Sequence, residues 1–131
     1  MRRMKQILAW LGVLSAGLLL PSSCDETSEC EQHDYARPGI VLIEPQDGVI
    51  IFSSLEPYPK VTLRLTAEAG LNTLSLDEGY DYMRGIKAFT GGETEKQFTF
   101  TLDYINATKV EFVLYDLCNQ SARAEALVIH E

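Results

Sequence analysis

The sequence predicts an all-β fold, an antiparallel β-sandwich of about seven strands in a single domain. Three observations carry this reading. Short runs rich in β-branched and aromatic residues recur from Gly39 onward, separated by Gly, Pro, Asp and Asn. Two of these runs alternate apolar and polar residues with period two, as a strand with one buried and one wet face requires. No apolar stripe at helical spacing is long enough to supply crossover helices, so the strands must pair antiparallel and bury sheet against sheet.

The elements follow in order. Ile40-Val41-Leu42-Ile43 is the first strand, ended by Glu44-Pro45. Val49 to Phe52 comes after the Asp47-Gly48 turn and reads as a switched continuation of it. In Val61 to Ala67, the apolar Val61, Leu63, Leu65 and Ala67 alternate with Thr62, Arg64 and Thr66. Leu71 to Leu76 follows Ala69-Gly70, and Gly85 to Phe89 is a weaker strand closed by Gly91-Gly92. In Glu95 to Leu102, Phe98, Phe100 and Leu102 share one face, with Gln97, Thr99 and Thr101 on the other. Lys109 to Tyr115 turns Val110, Phe112 and Leu114 inward, and Ala122 to His130 is the last strand.

The 131 residues fit one domain, and a hydrophobic fraction of 46% rules out wholesale disorder. The net charge of −8 argues against a nucleic-acid partner, which needs a basic footprint. The first 23 residues read as an address. Arg2, Arg3 and Lys5 precede an apolar run from Ile7 to Leu20, too short to span a bilayer but suited to a secretory signal. The following Ser22-Ser23-Cys24 resembles the cleavage site of bacterial lipoproteins, which implies a covalent lipid on Cys24 and anchoring to a membrane. Pro21 stands where such sites usually have an aliphatic residue. The acids Asp25, Glu26 and Glu29 directly after Cys24 resemble the signal that sends lipoproteins of Bacteroidetes-type bacteria to the outer face of the outer membrane. Cleavage removes three bases and no acid, taking the charge from −8 to −11. Residues 24–38 then form an acidic linker, and 39–131 the folded domain.

Three cysteines are an odd number for an exported chain. If Cys24 carries lipid, Cys30 and Cys118 remain to bridge in an oxidising compartment. A Cys24–Cys30 bridge, or two unbridged thiols, are the alternatives left by counting alone.

Two segments carry a further resemblance. Pro38-Gly39-Ile40-Val41-Leu42-Ile43-Glu44-Pro45-Gln46-Asp47-Gly48 resembles the opening of immunoglobulin-like or cadherin-like modules of Bacteroidetes-type surface lipoproteins. Val113-Leu114-Tyr115-Asp116-Leu117-Cys118-Asn119-Gln120-Ser121 is similar to their final hairpin, where an Asp and an Asn bracket the turn. Cys118 stands where such modules often have Gly, and the antibody-type Trp and inter-sheet disulfide are absent. The resemblance implies an immunoglobulin-like strand topology. In that topology the chain enters its first strand at the pole of the last hairpin, which would bring Cys30 to Cys118. The opposite pole would then gather Tyr58, Asp77, Glu78, Tyr80, Asp81, Tyr82, Arg84, Asp103, Tyr104 and Asn106. Tyr58, Tyr80, Tyr82, Arg84, Tyr104 and Asn106 are the candidate binding tip, since tyrosine offers flat apolar area and a hydroxyl. The competing account makes these tyrosines lids on the core.

Catalytic chemistry is not legible. His33 and His130 lie in no catalytic pattern, and no phosphate loop or nucleophile elbow is present. Cys30-x-x-His33 has a metal-like spacing but is only half a site. Asp77, Glu78 and Asp81 form the densest acidic loop and are the candidate ligands for calcium, without the spacing of an EF-hand. The expectation is therefore a non-enzymatic cell-surface lipoprotein with no cofactor beyond its lipid. It would be an interaction or accessory module for a protein or glycan partner. A small carbohydrate-binding protein of a glycan-uptake system and a fimbrial or adhesin-like subunit are the alternatives.

Overall fold

The computed structural model describes residues 29–131. The expected signal peptide, the lipidation site Cys24 and the acids Asp25 and Glu26 lie outside them. The chain divides into two compact units, residues 1–34 and 35–131. In the first unit, residues 29–33 are helical. They lie within the stretch 24–38 read as an acidic linker. Asp34, at φ 49°, ends the helical residues in the left-handed conformation. The second half of the expected linker belongs to the second unit. There the Ala36 N–H donates to Glu68 Oε1 (2.8 Å), the Arg37 guanidinium to the Ser121 carbonyl (3.2 Å), and Pro38 is buried.

The second unit is an all-β sandwich of eight strands: β1 (Gly39–Glu44), β2 (Val49–Phe52), β3 (Lys60–Thr66), β4 (Leu71–Asp77), β5 (Arg84–Ala88), β6 (Glu95–Thr101), β7 (Lys109–Asp116) and β8 (Ser121–His130). One sheet has the order β1-β3-β6 and the other β2-β8-β7-β4-β5. The period-two faces fall as expected. Val61, Leu63 and Leu65 of β3 are fully buried beneath Leu74, Leu76, Val110, Phe112 and Leu114 of the opposite sheet, with Ile50 and Leu71. Leu102 is buried, but Phe98 and Phe100 only half so. They face the core from β6, and an edge strand leaves one flank of its inward side chains uncovered.

One ladder departs from the antiparallel expectation. β2 pairs parallel with β8, Val49 opposite Leu127 and Phe52 opposite His130. The cause lies in the turn before it. Pro45 to Gly48 closes with a Gly48 N–H to Pro45 C=O bond of 3.1 Å, and Gly48 takes φ 77°, which favours glycine. The turn carries the chain from β3 in one sheet to β8 in the other. Both β1 and β8 start from the same end, so the continuation of β1 must run parallel to β8.

Candidate functional site

Three connections and the end of β8 meet at one pole of the sandwich. β3 begins where β6 ends, Lys60 opposite Thr101, and the Leu102 N–H donates to the Pro59 carbonyl (2.9 Å). This sets Tyr58 beside the connection 102–108. β4 ends at Asp77 opposite Glu111, near the start of β7, so the connection 78–83 opens at the same pole. The Phe52–His130 register brings the ends of β2 and β8 there as well. Two buried anchors, Leu102 and Ile105, hold the 102–108 connection and turn the flanking Tyr104 and Asn106 outward.

Arg84 ties two of these connections together. Its Nη2 meets Glu78 Oε2 at 2.7 Å and donates to the Tyr104 carbonyl at 3.4 Å. The Glu78 side chain is only 8% exposed, which strengthens the pair relative to one in open water. Tyr80 and Tyr82 stack on each other with ring centroids 6.3 Å apart. The Tyr104 ring packs 5.1 Å from His130 and 6.0 Å from Phe52, and its hydroxyl donates to Asn106 Oδ1 (3.3 Å). His130 also stacks on Phe52 at 5.4 Å. Tyr58, Tyr80, Tyr82 and Tyr104 are 61%, 52%, 73% and 60% exposed. Phe52 and His130 were no part of the sequence-based tip. Only the parallel register places them there, and no local pattern reports it.

The acidic loop is arranged differently from a cation site. Asp77 Oδ1 accepts the Gly79 N–H (2.9 Å) and its Oδ2 meets Arg123 (3.0 Å), which also meets Glu111 (2.9 Å). The Gly79 N–H first, and then the Arg123 guanidinium, hold the Asp77 carboxyl below its ordinary range. The same contacts raise the Arg123 guanidinium, with Asp77 the larger cause. Asp77 and Glu78 thus each face an arginine rather than a common centre. Among the described residues, no group of three or more His, Cys, Asp or Glu is arranged to hold a metal ion.

At the opposite pole, Cys30 and Cys118 are disulfide-bonded to each other, which decides between the three cysteine readings. A bridged sulfur is no thiolate ligand, so Cys30 brings none to the Cys30-x-x-His33 spacing. The turn that bears Cys118 is built on Asp116. Its carboxylate is fully buried and accepts the N–H groups of Cys118 (2.9 Å) and Gln120 (2.8 Å) and the Gln120 side-chain amide (3.0 Å). Asn119 supplies the left-handed residue at φ 63°. Gln120 also donates to the carbonyls of Tyr35 and Ala36, which fixes where the chain enters this unit. No protein-family model matches the chain, and no curated protein matches it.

Proposed function

We propose that this chain is a non-enzymatic bacterial surface lipoprotein whose sandwich is an immunoglobulin-like module displaying a binding tip. The strand order supports the topology. The first, third and sixth strands share one sheet, while the fourth, seventh and eighth share the other, as A, B, E and C, F, G do in such modules. β5 then stands as an added strand beside β4. The observation that carries the functional reading is the convergence of Tyr58, Tyr80, Tyr82, Arg84, Tyr104 and Asn106 at the pole opposite Gln120, where the chain enters. A lipid on Cys24 would hold the entry pole toward the outer membrane and turn the tyrosines away from it. Asp81, Asp103 and Glu131 around the tip favour a basic partner surface over an anionic glycan.

Two measurements test this. Mass spectrometry of the mature N-terminus is expected to find lipid on Cys24, and an unmodified terminus removes the anchor from the reading. Chemical cross-linking on intact cells is expected to capture a surface partner. Tyr80→Ala with Tyr82→Ala should abolish the capture at unchanged melting temperature. A fall in melting temperature with capture retained would make the tyrosines structural. Specific binding on a glycan array would turn the reading toward carbohydrate uptake.

A further inference from the structure

The switch of the first strand between sheets leaves a gap on one side of the sandwich. β1 covers β3 only from Thr62 onward, Glu44 being its last partner residue. Lys60 and Val61, at the start of β3, extend past it. Across from them runs β2, an edge strand. Between the two lies a cleft of about 390 Å³, lined by Glu44, Asp47, Val49, Ile51, Glu56 and Lys60 among others.

The backbone of β2 faces this cleft with unused pairing groups. The Gly48 carbonyl accepts the Leu127 N–H and the Phe52 carbonyl accepts the Glu131 N–H, both at 2.9 Å. In a parallel ladder alternate residues bond to the neighbour. Residues 48, 50 and 52 therefore bond to β8, while 49 and 51 point their amide groups outward. Asp47 Oδ1 already accepts the Val49 N–H (3.1 Å), so the Val49 carbonyl and both amide groups of Ile51 remain for an incoming strand. The solvent face beside this edge is apolar. Val49 lies opposite Leu127 and Ile51 opposite Ile129, and Ile51, Leu127 and Ile129 are 37%, 51% and 45% exposed. A contiguous aliphatic patch on a free edge is where a chain adds by strand pairing.

Charge selects the occupant. Glu44, Asp47 and Glu56 line the cleft against Lys60 alone, and none of the three acids is in an ion pair among the described residues. A second copy of this chain, with its net charge of −8, would bring the same acids face to face. We propose that β2 accepts an extended segment of another protein, with aliphatic residues on one face and lysine or arginine on the other. The segment would pair with Ile51, lay its aliphatic face beside Val49 and Ile51, at the border of the patch that Leu127 and Ile129 continue, and set its cations against Glu44, Asp47 and Glu56. This surface borders the tyrosine pole at Phe52 and Tyr58 but shares none of the tip residues.

The test uses the full chain in detergent and a fluorescent nonapeptide alternating isoleucine and valine with lysine, followed by anisotropy. The lysine peptide is expected to bind about tenfold more tightly than its glutamate counterpart. The same lysine peptide with alternate amides N-methylated should not bind, because methylation removes strand pairing and keeps the charge. Ile51→Pro, which deletes an outward N–H at an edge where proline is tolerated, should abolish binding. If that variant fails to fold, Glu44→Gln with Glu56→Gln should weaken binding about fivefold, and the Ile51 amide of the unaltered chain should exchange more slowly with peptide bound. Equal binding of the methylated peptide, unchanged affinity in the glutamine variant, or no binding of the lysine peptide overturns the proposal. So does sedimentation showing a dimer that itself protects the Ile51 amide, which would make a second copy the occupant.

Discussion

At the scale of single residues, two aspartates do most of the local organising. Asp116 is an acidic side chain in the interior, tolerated because three N–H donors converge on it. Asp116→Ala leaves those donors without an acceptor and is expected to cost about 3 kcal/mol in urea unfolding. Asp116→Asn keeps an acceptor oxygen and should cost less. Asp77 acts at the surface, and its effect is read through pH. Its folded carboxyl is held below the ordinary value of 3.8 by the Gly79 N–H and Arg123. A depressed acid stabilises the fold fully above the unfolded value and loses that contribution as pH falls through the folded one. The melting temperatures of the unaltered protein and Asp77→Asn should therefore differ most near neutral pH. They should converge as pH drops below 3.8.

At the scale of elements, position in the sheet decides what a side chain contributes. β3 is the centre of the three-stranded sheet, with β1 on one side and β6 on the other. Leu63 there is fully buried, and Leu63→Ala is expected to cost about 3 kcal/mol. Phe98 has the larger side chain but sits on the edge strand β6, packed 5.3 Å from Phe100 and 6.2 Å from Phe89 with one flank open. Phe98→Ala should cost no more than about 2 kcal/mol, since only the buried part of its surface is lost. Chemical denaturation of the two variants checks the order. The reverse order would mean that β6 is covered by something beyond this chain.

At the scale of the whole molecule, the disulfide joins residues far apart in sequence. Closing so long a loop restricts the unfolded chain, by about 4–5 kcal/mol at most in the chain-entropy account. Cys30→Ala with Cys118→Ala is expected to lower stability by up to that amount and to leave the tyrosine pole intact, because the pole is held by the Arg84–Glu78 pair, the Tyr104–His130 packing and the buried Leu102 and Ile105. Non-reducing peptide mapping should recover the peptides of Cys30 and Cys118 joined. A Cys24–Cys30 product would contradict both the bridge and the lipid anchor.

What the sequence determined by itself is what neighbours along the chain impose on one another. Period-two alternation marks which side of a strand is dry, so the buried faces of β3 and β7 were legible from Val61, Leu63, Leu65, Val110, Phe112 and Leu114. Turn chemistry placed the breaks, at Asp47-Gly48 and between Asp116 and Asn119. The cysteine count, with the topology implied by resemblance, pointed to the pair that is bonded. The helical residues 29–33 were missed because Glu29 to His33 carry no apolar stripe at helical spacing. The tertiary structure alone decided which strand lies beside which. Nothing in Val49-Ile50-Ile51-Phe52 announces a parallel partner, because the open edge it joins is offered by β8, 78 residues on from Val49 to its partner Leu127. The weak strand β5, by contrast, pairs with its sequence neighbour β4, while β6 is left as an edge. The candidate site divides along that line. The exposed tyrosines could be named from their places in connections. Their meeting with Phe52, His130 and the Arg84–Tyr104 contact could not, because it depends on register between strands, and register is settled only when the faces they bury come together.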